Sequence, residues 1–202
     1  INEETLRHFR ALLQFDTSDP PGRELPAAEY IRDVLEAEGF EVEMLANNDE
    51  RPNVVTRLKG NGSKEPLLIM AHTDTVNVDP AKWTFPPFSA TVDGGYVYGR
   101  GAVDDKDNLA AGLMVMLELK RQGIKLDRDV IFLAESGEEG ATEFGIEFMI
   151  NEHFDKIESE FCLAEGGSVA RVNREVQYAG IQSVEKIPYQ INLTATGVAG
   201  HG

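Results

Sequence analysis

The chain has 202 residues, enough for one domain or for one domain with part of another, and its 42% hydrophobic residues can supply a buried core. Its 19 Lys and Arg against 35 Asp and Glu give a formal net charge of −16, and the basic residues form no cluster, which argues against a nucleic-acid partner. No apolar run approaches the roughly 20 residues of a membrane helix, so no membrane partner is expected either.

Helix and strand signals alternate from the start of the chain. Apolar residues recur at helical spacing over residues 6–13 and again over residues 25–38, where Gly39 ends the second pattern. The Pro- and Gly-rich segment 18–22 separates these two predicted helices. Short strands are predicted next, at residues 41–45 and 53–58.

Three compact apolar runs follow, and each leads into side chains that can bind a metal. Residues 67–71 precede His72 and Asp74, residues 130–134 precede Glu138 and Glu139, and residues 161–164 precede Glu165. Runs of this length predict strands buried on both faces, which places the lone cysteine, Cys162, in the core. Helical patterns over residues 106–122 and 142–153 lie between the runs, so the order predicts an α/β layered fold. Ligands in such folds bind at the carboxyl ends of the strands, where these acidic side chains lie.

The acidic side chains also have ordinary structural explanations. A His-x-Asp pair such as His72 and Asp74 is often a hydrogen-bonded surface pair, although a histidine can equally bind a metal through one ring nitrogen while a carboxylate holds the other. Asp104 precedes a predicted helix, where a carboxylate can cap the helix and complement its dipole. The adjacent Glu138 and Glu139 are explained equally well as exposed loop acids.

Two other classes of site are not favoured by the sequence. Gly99 and Gly101 resemble the start of a dinucleotide-binding loop, but Asp104 occupies the position of the third glycine and would repel a pyrophosphate. Ser136 lacks the Gly-x-Ser-x-Gly frame of a serine-hydrolase nucleophile.

Taken in order, five motifs give a more specific result. The stretches AHTDTV (71–76), GRGAVDDK (99–106), ESGEEGA (135–141), AEGG (164–167) and GHG (200–202) resemble those of metallopeptidase family 20. That family contains aminoacylases, carboxypeptidases, dipeptidases and succinyl-diaminopimelate desuccinylases. The resemblance implies a three-layer α/β catalytic domain of the zinc-exopeptidase type, with a mixed and largely parallel sheet, followed by the start of a smaller α+β lid or dimerisation domain. An alternating apolar pattern over residues 189–196 predicts a strand of that smaller domain, which gives domains 1–185 and 186–202.

The resemblance also assigns roles to individual residues. The implied ligands of two zinc ions are His72 and Glu165 for the first ion, Glu139 for the second and Asp104 for both. Asp74 is expected to orient the His72 ring, and Glu138 to be the general base. His201 is expected to reach the substrate from the smaller domain. A cis peptide is implied directly after Asp104.

The implied function is the hydrolysis of an amide bond in a peptide or an N-acyl amino acid, by water activated by two Zn²⁺ ions or by Co²⁺ or Mn²⁺ at the same sites. A homodimer formed through the smaller domain is also implied. The last histidine ligand of the family has no counterpart here, so we expect an N-terminal part of a longer protein. The alternative hypothesis is a non-catalytic metal-binding or dimerising module. The compartment stays open, with the cytoplasm favoured over the periplasm or secretion.

Overall fold

The helices and strands follow the sequence signals closely. A computed structural model describes residues 2–181, 191–197 and 200, in two units, Ile1–Glu165 and Gly166–Gly202. The first unit contains, in chain order, α1 (Asn2–Leu13), β1 (Ser18–Asp19), α2 (Leu25–Ala37), β2 (Val42–Leu45), β3 (Asn53–Leu58), β4 (Leu67–His72), β5 (Thr75–Val76), a 3₁₀ turn (Pro80–Lys82), β6 (Thr91–Asp93), β7 (Tyr96–Tyr98), α3 (Lys106–Arg121), β8 (Val130–Glu135), α4 (Ile146–Ile157) and β9 (Phe161–Leu163). The second unit contains β10 (Ser168–Val172) and β11 (Glu175–Gly180).

The first unit is built on a five-stranded sheet in the order β2-β3-β8-β4-β9. Strand β3 is antiparallel to both of its neighbours, whereas β8, β4 and β9 pair in parallel. Four of the five strands therefore point the same way, and the predicted mixed, largely parallel sheet is confirmed.

Helices cover both faces of this sheet, which gives the three predicted layers. Phe132 and Ala134 of β8 pack into the cluster formed with α1, α2 and α3. Their neighbours Ile131 and Leu133 pack on the opposite face with Phe148 of α4. This alternation follows from the period of two in a strand, and burying a large side chain such as Phe132 stabilises the fold by roughly 1.5–3 kcal/mol. Among the described helices, none combines the length and the apolar character needed to span a bilayer.

Strand β9 corrects the prediction that all three apolar runs are buried. Phe161 and Leu163 are more than half exposed, and Cys162, predicted to be a core residue, is exposed as well. The physical reason is the strand order, since β9 lies at the edge of the sheet formed by the described residues and pairs there with β4. Strand β8, which has a neighbour on each side, is buried along its whole length.

The start of α4 also differs from its prediction. The helical pattern begins at residue 142, whereas α4 begins at Ile146. Residues 137–145 instead form a chain of tight turns, with the N–H of Ala141 donating to the Gly137 carbonyl and the N–H of Gly145 to the Thr142 carbonyl. The turns place the acidic residues 138 and 139 at the end of β8.

The second unit contains an antiparallel hairpin that the sequence analysis missed. Strands β10 and β11 are joined by Asn173 and Arg174, both with positive φ, as a two-residue type I′ hairpin turn requires. The strand predicted over residues 189–196 is not formed in its described part, because residues 191–197 belong to no strand. Ile191 and Leu193 are largely exposed within the described part of the chain. The predicted domain boundary at residue 186 lies outside the described residues and stays a prediction.

Candidate metal centre

Three parallel strands bring the acidic clusters to one edge of the sheet. Strands β4 and β8 pair in parallel with His72 opposite Glu135, and β9 runs beside β4 and ends two residues before Glu165. The carboxyl ends of parallel neighbours meet at the same edge, so these residues are drawn together.

His72 lies at the centre of the group. Its side chain is buried, and its Nε2 faces carboxylates from three parts of the chain. The distances from Nε2 are 2.9 Å to Oδ1 of Asp104, 3.6 Å to Oε2 of Glu165 and 3.9 Å to Oε2 of Glu138. These three carboxylates are partly exposed, with 62% of the Asp104 side chain accessible, so the cluster opens to solvent on one side.

Two overlapping sets of side chains have the spacing of a metal site. One contains His72, Glu138 and Glu165, and the other contains His72, Asp104 and Glu139, with the ligand atoms of each set within 4.8 Å of one another. The structure thus brings together every predicted ligand that lies among the described residues. Glu138 and Glu139 both come within range, so the assignment of one as base and the other as ligand stays a prediction. His201 lies outside the described residues.

Asp74 connects the His72 ring to the loop that carries the two glutamates. Nδ1 of His72 lies 3.1 Å from the carbonyl oxygen of Asp74 and 3.4 Å from its Oδ1. Metal ligation requires a neutral ring with its proton on Nδ1, the nitrogen that faces Asp74, because the lone pair of Nε2 is then free to bind the metal. The Asp74 carboxylate is fully buried and accepts the backbone N–H groups of Glu138 at 3.1 Å and of Glu139 at 3.0 Å.

The electrostatics of the cluster are dominated by negative charge. Burial lowers the pKa of His72, but the hydrogen bonds of Asp74 and Asp104 and the charges of Asp74 and Asp105 outweigh burial and raise this pKa to about 10. Burial and neighbouring carboxylates raise the pKa of Glu165 to about 7, and burial raises that of Glu135 to about 7 as well. Carboxylates that resist ionisation because they crowd one another are stabilised by a cation placed among them.

The donor atoms fit a divalent metal. An imidazole nitrogen together with carboxylate oxygens is a set that Zn²⁺ accepts, and Co²⁺ and Mn²⁺ can occupy similar sites.

The segment that carries Asp104 is fixed from both sides. The peptide between Asp104 and Asp105 is cis, as the family resemblance implies. Asp105 is fully buried, and its Oδ2 accepts the backbone N–H of His72 at 3.2 Å, a role that the sequence analysis missed. The buried Lys106 donates from Nζ to the carbonyls of Leu12 and Phe15 at the end of α1. Spacing alone gave no reason to expect that Asp105 and Lys106 are buried beside the exposed Asp104.

Ser136 has a structural role that agrees with its rejection as a nucleophile. Its hydroxyl donates to the carbonyls of Arg51 and Phe144, and its N–H donates to Oδ1 of Asn53. Asn53 in turn donates from Nδ2 to the Phe144 carbonyl at 2.7 Å. Ser136 therefore holds the loop after β8 against the sheet, and its hydroxyl is occupied by these structural hydrogen bonds.

Comparisons with known proteins agree with this geometry. The sequence model of peptidase family M20/M25/M40 matches residues 68–192. The chain is 40% identical, over 141 residues, to an N-formyl-4-amino-5-aminomethyl-2-methylpyrimidine deformylase of Halalkalibacterium halodurans, a match that covers 68% of this chain and 33% of that protein. It is 31% identical, over 202 residues, to a probable succinyl-diaminopimelate desuccinylase of Staphylococcus aureus, covering 98% of this chain and 46% of the relative.

A solved structure of an M20 family protein is also similar to this chain. The M20 family metallo-carboxypeptidase Sso-CP2 of Sulfolobus solfataricus is similar with a TM-score of 0.71 and 28% sequence identity, over 82% of this chain and 38% of that chain. The chain therefore spans less than half the length of each of these relatives.

Proposed function

Because the chain belongs to peptidase family M20/M25/M40, we propose that it forms much of the catalytic domain of a metal-dependent hydrolase that cleaves an amide bond in a peptide or an N-acyl amino acid. The observation that carries this proposal is the convergence of His72, Asp104, Glu138, Glu139 and Glu165 at one sheet edge. The relatives named as a deformylase, a desuccinylase and a carboxypeptidase all have names that denote cleavage of a C–N bond of the amide type.

The proposed cofactor is a pair of divalent ions, Zn²⁺ in the first place, with Co²⁺ or Mn²⁺ as alternatives. His72 and Glu165 would hold the first ion, Glu139 the second, and Asp104 both. Ions held in this way supply positive charge that makes water more acidic, with a pKa near 7, and that stabilises the oxyanion formed from the amide carbonyl. The crowding of carboxylates around His72 supports the proposal, because divalent cations placed among them would balance their negative charge.

Glu138 is the proposed general base. Its Oε2 accepts a proton from the attacking water and later donates that proton to the leaving amine nitrogen. Two observations support this role: the side chain is 41% exposed, so water and substrate can reach it, and its backbone N–H is held by the buried Asp74. The same contact with Asp74 fixes the backbone of Glu138 beside the site.

The smaller domain is proposed to supply the contacts between two copies of the protein and a further contact with the substrate. It would form a homodimer and bring His201 to the carbonyl end of the substrate. The cytoplasm is the proposed compartment.

The proposal is tested on the full-length protein with a panel of dipeptides and N-acyl amino acids. We expect hydrolysis that is lost on chelation and restored by Zn²⁺, Co²⁺ or Mn²⁺. The Glu138→Ala variant should keep its metal and lose turnover by about 10²- to 10⁴-fold, whereas Glu139→Ala should lose metal from one site. Glu118→Ala, which removes an acid near the far end of α3, is the control and should leave both properties unchanged. Equal metal loss in the two glutamate variants would refute the division of roles, and bound metal without hydrolysis of any substrate would favour the non-catalytic module.

A further inference from the structure

The loop of residues 136–145 must be held in place by contacts with the rest of the domain, because its residues Glu138 and Glu139 must stay at a fixed distance from His72. Part of the support comes from the Asn53 side chain, which accepts the backbone N–H of Ser136 and donates to the Phe144 carbonyl. A second element is a buried arginine. Arg51, only 3% exposed, lies against this loop although it precedes Ser136 by 85 residues.

Arg51 is held by two carboxylates from the segment that joins α1 to α2. Its Nε and Nη2 donate to Oε1 of Glu24 at 3.0 and 2.7 Å, and its Nη2 donates to Oδ2 of Asp19 at 3.1 Å. Glu24 is fully buried, and its second oxygen, Oε2, has no hydrogen-bond partner among the residues that the structure describes. The guanidinium is thus anchored on one side in a fixed, planar orientation.

The guanidinium of Arg51 also contacts the loop of residues 136–145. Its Cζ lies 4.7 Å from the centre of the Phe144 ring, in a cation–π contact. A Cβ placed on Gly137, which has a φ of +70°, would come 3.3 Å from Nη2 of Arg51. On the anchored side, a Cβ on Gly22 would come only 2.4 Å from Cζ of Arg51. Arg51 therefore fills the space between Gly22 and Gly137, and a side chain at either position would meet its guanidinium.

We propose that Arg51 is a positioning residue for the metal centre: through Gly137 and Phe144 it sets the place of Glu138 and Glu139 relative to His72. The proposal rests on the proposed function, since it presumes that metal binds at this cluster. Its consequence is specific. Loss of Arg51 should weaken the site that depends on Glu139 more than the site that depends on Glu165, because Glu165 follows β9 and does not belong to the loop.

The test is a metal titration of the full-length protein after removal of metal by a chelator. Replacing Arg51 alone would leave the buried charge of Glu24 without its partner, so the main variant is Arg51→Met combined with Glu24→Gln. The probe is Co²⁺, followed by its visible absorption, with Zn²⁺ calorimetry as a second readout. We expect the affinity for one of two ions to fall by about 10- to 100-fold, and the other to change little.

The control is Arg121→Met, which also removes an arginine with carboxylate partners, Glu4 and Glu38. Arg121 lies at the far end of α3, about 24 Å along the helix from its start beside Asp105, and the variant should bind both ions as the wild type does. If the double variant does not fold, Arg51→Lys carries the same test, because Lys keeps the charge without the planar face that lies over Phe144.

The outcomes separate this inference from the proposed function. Unchanged affinities in a folded variant, or an equal loss at both sites, would overturn the positioning role while leaving the metal centre in place. A wild-type protein that takes up no metal would overturn both proposals.

Discussion

The Asp74→Asn variant probes the contact that joins the His72 ring to the catalytic loop. Asn keeps the size of the side chain, but it removes the charge and replaces one acceptor oxygen with an NH₂ donor. In the native structure each carboxylate oxygen of Asp74 accepts one backbone N–H, from Glu138 at 3.1 Å and from Glu139 at 3.0 Å. In the variant, one of these two N–H groups faces an amide NH₂ and loses its acceptor.

The size of the effect follows from that one lost bond. A hydrogen bond to a charged group contributes about 1.5–3 kcal/mol, and each 1.4 kcal/mol corresponds to about tenfold in affinity. If an ordered loop is needed for Glu139 to bind metal, the variant should bind that ion roughly 10- to 100-fold more weakly. The loss should appear as weaker metal affinity in a chain that is still folded, since the sheet and its two cores do not include Asp74.

Calorimetric titration of the chelator-stripped, full-length protein with Zn²⁺ measures this effect. Asp129→Asn is the matched control, because Asp129 also accepts a backbone N–H, that of Gly60 at 2.8 Å, but it precedes β8 and so lies at the opposite end of that strand. The account predicts weak binding in Asp74→Asn and normal binding in Asp129→Asn. Equal Zn²⁺ affinities in Asp74→Asn and the wild type would refute the reasoning.

Three further predictions concern the core, a buried histidine and the loop. Phe132→Ala should lower the free energy of unfolding, measured by urea denaturation, by about 3–5 kcal/mol. Val115→Ala, on the exposed side of α3, is its control and should change that free energy by less than about 0.5 kcal/mol. Similar losses in both variants would contradict the packing. Burial lowers the pKa of His8 below its ordinary 6.5, so the unfolded chain binds the proton first and stability should fall as the pH drops below about 6.5. His8→Gln should reduce this slope in urea midpoints measured across that range, and an unchanged slope would count against the assignment. Gly137→Ala, whose Cβ would come 2.4 Å from the carbonyl oxygen of Ala141, should force the loop to move and weaken metal binding; native affinity in this variant would contradict the proposed geometry.

Much of the fold could be predicted from local patterns. Apolar spacing marked α1, α2 and α3 to within a few residues, and the short apolar runs marked β4, β8 and β9. These patterns are local because a helix or strand buries a face with its own period. Strand order is not local, and so the exposure of Cys162 on the edge strand β9 was predicted wrongly. The sequence of a strand does not by itself show whether that strand lies at the edge or in the middle of a parallel sheet.

The candidate site was predictable where its residues follow a strand and carry acidic or imidazole groups. His72, Glu139 and Glu165 follow predicted strands, but these residues and Asp104 could be named as metal ligands only because the motifs around them resemble those of the peptidase family. Their supports could not be named, since the importance of Arg51 depends on contacts with segments about 30 and 90 residues away, which no spacing rule connects. Whether Glu138 or Glu139 is the base is a matter of side-chain direction, which a sequence does not specify.

The central claim is that this sheet edge binds divalent metal, and metal content tests it most directly. The measurement is elemental analysis of the full-length protein, purified without chelator and then again after Zn²⁺ has been supplied. The account predicts about two ions per chain, with the number falling in the Glu139→Ala variant. A protein that holds no metal under either condition would contradict the account, because the cluster around His72 would then exist without the cations that its carboxylates are arranged to bind.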